Sequence, residues 1–260
     1  MALSPPARRP FLLAPSIICP GAQAAVLFPL FRRGITAMFV NGAFGNINHI
    51  LQPTEYDAMM YGTASRRPFE EVERVGQAVA SEALRLLPNI RATDVKIAAA
   101  GKAFPLRLRK PPVASLEEAK GNVLREKARL DQAKARGDHA EVSRAHIDLV
   151  YARHAVKMLK SGKTEAEMRL SAFHIGDLGV SCIPGEPFCE IGLAIKRNSP
   201  FPAAWVLGNT NGYTGYMPTR ESFAQGGYEV RTCGWSKWQE DADGVVVKES
   251  LDLLNQLKSR

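Results

Sequence analysis

Apolar positions along this chain follow first one, then the other, of the two periods of regular structure. Residues 22 to 32 (AQAAVLFPLFR) read as a short apolar helix ended by Gly34. Residues 35 to 40 read as a buried strand running into the glycine-hinged stretch 41 to 49 (NGAFGNINH). Over 69 to 87, Val72, Val75, Val79, Ala83 and Leu87 recur at helical spacing, and Pro88 closes that amphipathic helix. Residues 94 to 109 predict a strand, or a pair of them, halted by Pro111 and Pro112. From Leu116 to Lys160 the chain is rich in Ala, Lys, Glu and Arg, with a turn at 135 to 139 (ARGDH). Val142, Ala145, Leu149, Ala152, Val156 and Leu159 make one apolar seam there, which predicts an antiparallel helical hairpin packed on the domain with its charges solvated.

Beyond the hairpin the period returns to two. Met168 to His174 alternates as a strand, Gly176 and Asp177 make a turn, and LGVSCI (178 to 183) is a buried strand. A tight turn follows at Pro184, Gly185 and Glu186, and Pro187 is read as the opening residue of a helix to about Arg197. A last strand from Ala203 ends in the loop NGYTGYMPTRESFAQGGYEV, residues 211 to 230. Strands interleaved with helices predict one α/β domain over residues 1–260: a layered mixed sheet flanked by helices, with the hairpin of about 116–160 inserted.

Composition narrows the classes. The 45% hydrophobic and 23% charged residues are those of a globular protein. The net charge of +8 is spread out, without the basic tract or aromatic–basic interleaving of a nucleic-acid module, so no nucleic-acid partner is expected. Contact with an anionic membrane surface is a second reading of that charge. Cys19, Cys182, Cys189 and Cys233 show no CxxC spacing, and Cys182 lies in an apolar run as a small core residue. Arg8 and Arg9 before Phe11 and Leu12 bear a faint likeness to a twin-arginine export signal, but Pro10, Pro15 and Pro20 interrupt the apolar stretch, and the expectation is a cytoplasmic chain. His146 and His154 are eight apart in the hairpin and read as surface residues rather than metal ligands.

Three loops share one design, an apolar strand followed by glycine and polar groups: Asn41 to His49, Pro184 to Glu186, and Asn211 to Tyr228. Strand ends of open α/β sheets are the usual seats of ligand sites. Glu186 has two readings, a carboxylate at a positive helix end or a metal ligand and general base. Asn46 and Asn48 are either turn residues or donors to a polar substrate head. Tyr216 and Tyr228 are either half-buried packing or phenols that ligate a metal or stabilise an oxyanion.

The order of FVNGAFGNIN, IPGEPFCEIG and NGYTGYMPTRESFAQGGYE resembles the catalytic domain of the neutral/alkaline non-lysosomal ceramidases, over most of residues 20 to 235. These are zinc-dependent amidases that split N-acylsphingosine into a fatty acid and sphingosine, and members are often secreted or membrane-associated. The resemblance implies zinc as cofactor, a small-molecule or lipid substrate, Glu186 and Tyr216 as zinc ligands, and Tyr228 as a second active-site tyrosine. Asn46 and Asn48 fall in the loop where the family carries catalytic groups. The chain departs from the pattern there: the position of the family's required serine holds Asn48 and the following proline position holds His49. The family's two zinc-binding histidines lie upstream of this loop, whereas the first histidine here is His49. The expectation is therefore a ceramidase-like hydrolase of an amide in an N-acylated lipid, matching the C-terminal portion of the family's catalytic domain and lacking part of its site. The alternatives are a non-catalytic lipid- or ligand-binding protein of the same fold, and an interaction module centred on the hairpin.

Overall fold

The computed structural model describes residues 11–16, 36–47, 69–89 and 94–259. Strands β1 (Phe11–Ser16) and β2 (Thr36–Asn41) pair in parallel. Helix α1 (Phe69–Leu86) follows, continued by a short 3-10 turn at Leu87–Asn89. The helix expected at 22 to 32 lies outside the described residues. Residues 94 to 109 resolve into one long strand, β3 (Ile97–Arg107), rather than a pair.

Helices α2 (Leu116–Ala135) and α3 (His139–Ser161) form the expected hairpin. Its ends are set locally. Ser115 Oγ accepts the Glu118 N–H while the Glu118 carboxylate reaches back to the Ala114 N–H, and Asp138 Oδ1 accepts the Glu141 N–H. Gly137, at φ +68, makes the turn between the helices. Val142, Ala145 and Leu149 meet Val123 and Leu130 of α2 as the seam predicts. Beyond Leu149 the buried residues are Tyr151 and Ala155, and the Tyr151 ring meets Trp235 in a loop outside the hairpin.

The central sheet runs β3, β4 (Glu165–Ile175), β5 (Leu178–Cys182), then β7 (Ala203–Leu207), with two antiparallel contacts and a parallel one between β5 and β7. Two-residue β6 (Glu186–Pro187) and helix α4 (Cys189–Asn198) lie in the crossover between β5 and β7. A parallel pair needs such a crossover, and α4 supplies it. β8 (Tyr216–Met217), the one-turn α5 (Ser222–Gln225) and helix α6 (Ala242–Lys258) complete the chain. The fold is therefore the expected α/β class, a mixed sheet flanked by helices.

One expectation is corrected. Pro187 does not open a helix, because Glu186 and Pro187 are extended and pair in parallel with Tyr216 and Met217. The Glu186 N–H donates to the Gly215 carbonyl at 2.9 Å and the Phe188 N–H to Met217 at 3.0 Å, so helical geometry begins only at Cys189. Helix α6, to which the sequence reading assigned nothing, forms much of the core. Ala242, Val246, Leu253, Leu254 and Leu257 pack on Met168, Leu170 and Ala172 of β4 and on Ile191 and Ile195 of α4. The opposite face of β5 and β7 holds Val180, Cys182 and Leu207 against Val40 of β2. Cys182 is a core residue as expected, and burial pushes its thiol up to about 11.

Candidate functional site

The strand-end loops converge. After β2, Gly45 donates its N–H to the Pro187 carbonyl at 2.8 Å. A Cβ on Gly45 would lie 3.0 Å from the Glu186 carbonyl carbon and 3.1 Å from Phe188, so only glycine lets the two loops approach this closely. After β7, the Gly208 N–H reaches the carbonyls of Asn41 and Gly42, and the Asn209 N–H reaches Gly185. Within the last loop the Thr214 N–H donates to Pro184 at 2.8 Å, and the Tyr216 N–H to Trp235 at 2.7 Å. Backbone bonds between loops thus hold β6 and β8 side by side, with Glu186 and Tyr216 as register partners.

Among the described residues, Tyr213 and Tyr228 join Tyr216 at that pair. Tyr213 Oη donates to Glu186 Oε1 at 2.6 Å. Tyr216 and Tyr228 meet edge to face, with ring centroids 5.5 Å apart and hydroxyls 3.5 Å apart. Burial is the main force pushing the Tyr216 phenol far above its ordinary range, aided by its bond to Tyr228 and the nearby Glu186 carboxylate. Burial likewise raises Tyr228, and burial with the Glu186 contact raises Tyr213. All three are neutral hydrogen-bond donors at physiological pH. Glu229, next to Tyr228, is also raised by burial, with the Glu186 charge adding to the effect. A cluster of neutral phenols beside a carboxylate can donate to a developing oxyanion and accept a proton.

The remaining expected residues are placed differently. Asn46 is within the convergence, but both ends of its amide are engaged by α4. Its Oδ1 accepts the Cys189 N–H at 2.8 Å and its Nδ2 donates to Glu190 Oε2 at 2.8 Å. Phe188, the residue at the N-cap of α4, makes no side-chain cap, so Asn46 performs that task from another loop. Asn48 and His49 lie outside the described residues.

Several contributors escaped the sequence reading. Tyr213 is one, although its place in the glycine-rich loop three residues before Tyr216 was a signal. Arg109, just past β3, donates to the Val230 carbonyl at 2.6 Å and to both the carbonyl and hydroxyl of Ser236, at 3.0 and 2.7 Å. Its guanidinium also lies 4.6 Å from the Phe223 ring centroid, so one planar cation ties the end of β3 to the segment after Tyr228. The hairpin buttresses the same segment. Tyr151 and His154 meet the Trp235 ring at 5.6 and 4.7 Å, and His154 Nδ1 accepts the Gly234 N–H at 2.9 Å. His146 is exposed as expected, whereas His154 is a docking residue.

Glu186 and Tyr216 offer two oxygens to a metal ion. Among the described residues no group of three His, Cys, Asp or Glu side chains comes together that could hold one. Catalytic zinc takes three protein ligands and an open position, so the described residues by themselves do not fit a complete zinc site. No described helix is long and apolar enough to cross a membrane.

Fold and site together define an α/β protein that gathers a carboxylate, two half-buried phenols and an exposed one in the loops that follow its strands. No family model and no curated protein matches the chain. Solved structures do. A neutral ceramidase from Pseudomonas aeruginosa is similar at a TM-score of 0.56 and 17% identity, over 92% of this chain and 40% of that one. A ceramidase complexed with C2 is similar at 0.56 and 15%, over 92% of this chain and 42% of that one. The likeness is one of fold: the chain has a ceramidase-like fold and spans about two fifths of the length of these structures.

Proposed function

We propose that this chain carries the C-terminal portion of a ceramidase-like catalytic domain and serves hydrolysis of the amide bond in an N-acylated lipid. The observation that supports the reading is the meeting of Glu186 with Tyr213, Tyr216 and Tyr228 in a ceramidase-like fold. In this reading the amide carbonyl faces Tyr216 and Tyr228, whose neutral hydroxyls donate to the oxygen as it gains charge. Glu186 is the proton acceptor for the attacking water, and Tyr213 orients the carboxylate. Asn46 holds the start of α4, and with it the Glu186 loop, in place. The zinc that the family resemblance implies would instead take Glu186 and Tyr216 as ligands, leaving Tyr228 as the donor to the oxygen, with the remaining metal donors supplied from outside the described residues. Contact with a membrane surface fits a lipid substrate and the net charge of +8.

The test is release of fatty acid from a short-chain N-acylsphingosine, with and without added zinc. Tyr228→Phe lowers the rate by roughly 100- to 1,000-fold, the range for loss of one oxyanion donor, and Glu186→Gln by roughly 100- to 10,000-fold, the range for loss of a general base. Unchanged turnover in both variants overturns the assignment. The missing third ligand among the described residues favours a second reading, a non-catalytic lipid-binding protein of this fold. That reading gains if no product forms under either condition while the N-acyl lipid binds and still binds the Glu186→Ala variant.

A further inference from the structure

A cavity of about 430 Å³ opens at the far end of the sheet from the Glu186 loop, where β3 begins, β4 ends and α6 finishes. Its volume is in the range of small-ligand sites. Its floor is apolar, built from Phe201 and Leu257, both buried, and flanked by Ile97, which is 69% exposed. An isoleucine that open at a cavity mouth presents hydrocarbon to whatever enters. The His174 ring makes one wall, stacked on Phe201 at 5.5 Å with its Nδ1–H donated to the Gly176 carbonyl.

The ionised side chains that line the cavity are lysines. Lys96 and Lys258 line the cavity, and among the described residues no acidic side chain does. Lys258 Nζ sits 4.9 Å from the Phe201 ring centroid, which holds the ammonium over the apolar floor. Among the described residues its carboxylate partner is Asp177, 3.9 Å away and 85% exposed, a pair that water screens heavily. A second cavity, of about 360 Å³ between the hairpin and residues 231–232, makes the contrast. There Arg231 pairs with Asp148 at 2.9 Å and Arg125 with Glu126 at 3.2 Å, so each of these cations has a carboxylate within direct hydrogen-bond distance and the carboxylates line the cavity with them.

We propose that the cavity between the start of β3 and the end of α6 binds an amphiphilic carboxylate, its hydrocarbon chain on Phe201, Leu257 and Ile97 and its anionic head between Lys96 and Lys258. The cavity needs both parts of such a ligand: a small anion leaves the apolar floor unused, and a neutral chain leaves the two ammonium groups unused. The proposal stands apart from the reading of Glu186 and the tyrosines, because no residue is shared.

Titration calorimetry of the full chain with octanoate, n-octanol and acetate, at low ionic strength, tests it. Octanoate binds more tightly than either of the others. The double variant Lys96→Gln/Lys258→Gln weakens octanoate roughly tenfold, to the level of octanol. Ile97→Ala weakens octanoate and octanol alike, while Glu186→Gln and Tyr216→Phe leave this binding event as it was. Octanoate no tighter than octanol, acetate as tight as octanoate, or an unchanged affinity in the double lysine variant each overturns the proposal. Loss of binding in Glu186→Gln places the ligand at the other site and overturns it as well.

Discussion

Gly215 joins the two short strands of the candidate site, and replacing it with alanine combines two separable penalties. The residue has φ +88, a conformation that a Cβ disfavours by about 1 to 2 kcal/mol. A Cβ there would also lie 2.7 Å from the Trp235 Cα and 2.6 Å from its carbonyl carbon, with the carbonyl oxygen closer still. These are backbone atoms that cannot rotate away, and overpacking of this kind costs about 1 to 3 kcal/mol more. The Gly215 carbonyl accepts the Glu186 N–H and the Trp235 carbonyl accepts the Tyr216 N–H, so relief by backbone movement breaks the β6–β8 pair. Gly226 is the matched control: its φ is +80, and a Cβ there meets nothing within 4 Å. Urea denaturation followed by tryptophan fluorescence reads the difference as a shift in midpoint at constant m-value. Gly226→Ala loses about 1 to 2 kcal/mol by strain alone, and Gly215→Ala loses about 2 to 5 kcal/mol. Equal losses in the two variants would refute the argument from close approach.

Other expectations follow from the contacts between loops. Asn46→Ala removes the cap of α4 and lowers stability by about 0.5 to 2 kcal/mol, while Asn46→Asp keeps the acceptor but faces Glu190 and recovers less than full stability in a thermal melt. Arg109→Lys loses the fork that reaches Val230 and Ser236 together and costs about 1 to 3 kcal/mol in a denaturant titration. His154 is held below its ordinary 6.5 by burial and by Lys157, and its Nδ1 can accept the Gly234 N–H only when unprotonated. Its contribution is therefore complete above the unfolded value and is lost as pH falls through the lower folded value. A plot of melting temperature against pH shows that acid limb in the native chain and a shallower one in His154→Asn; identical limbs would show that His154 does not supply it.

The elements most legible in the sequence were those whose burial follows one period. The hairpin seam of Val142, Ala145 and Leu149 meets α2 as spaced, and the alternation of Met168, Leu170 and Ala172 does face α6. Helix α6 was obscured because Val245, Val246 and Val247 are consecutive β-branched residues, which favour strands. Only packing of Val246, Leu253, Leu254 and Leu257 against the sheet overrides that preference. Proline at 187 misled in the opposite direction: its fixed φ suits a first helical turn and an extended residue alike. The bonds from Glu186 and Phe188 to the loop 215–217 decided between them.

The candidate site divides along the same line. By itself the sequence determined which groups stand at strand ends, because glycine beside Glu186, Tyr216 and Tyr228 marks places where backbone must turn or approach closely. Their meeting is a matter of contacts between residues 30 and more apart, which no local spacing encodes: Glu186 with Tyr216, Asn46 with the start of α4, His154 with Gly234. The electrostatics of the site were decided there too, since burial in the assembled loops pushes the Tyr216 and Tyr228 phenols above their ordinary range, a shift that residue type alone does not give.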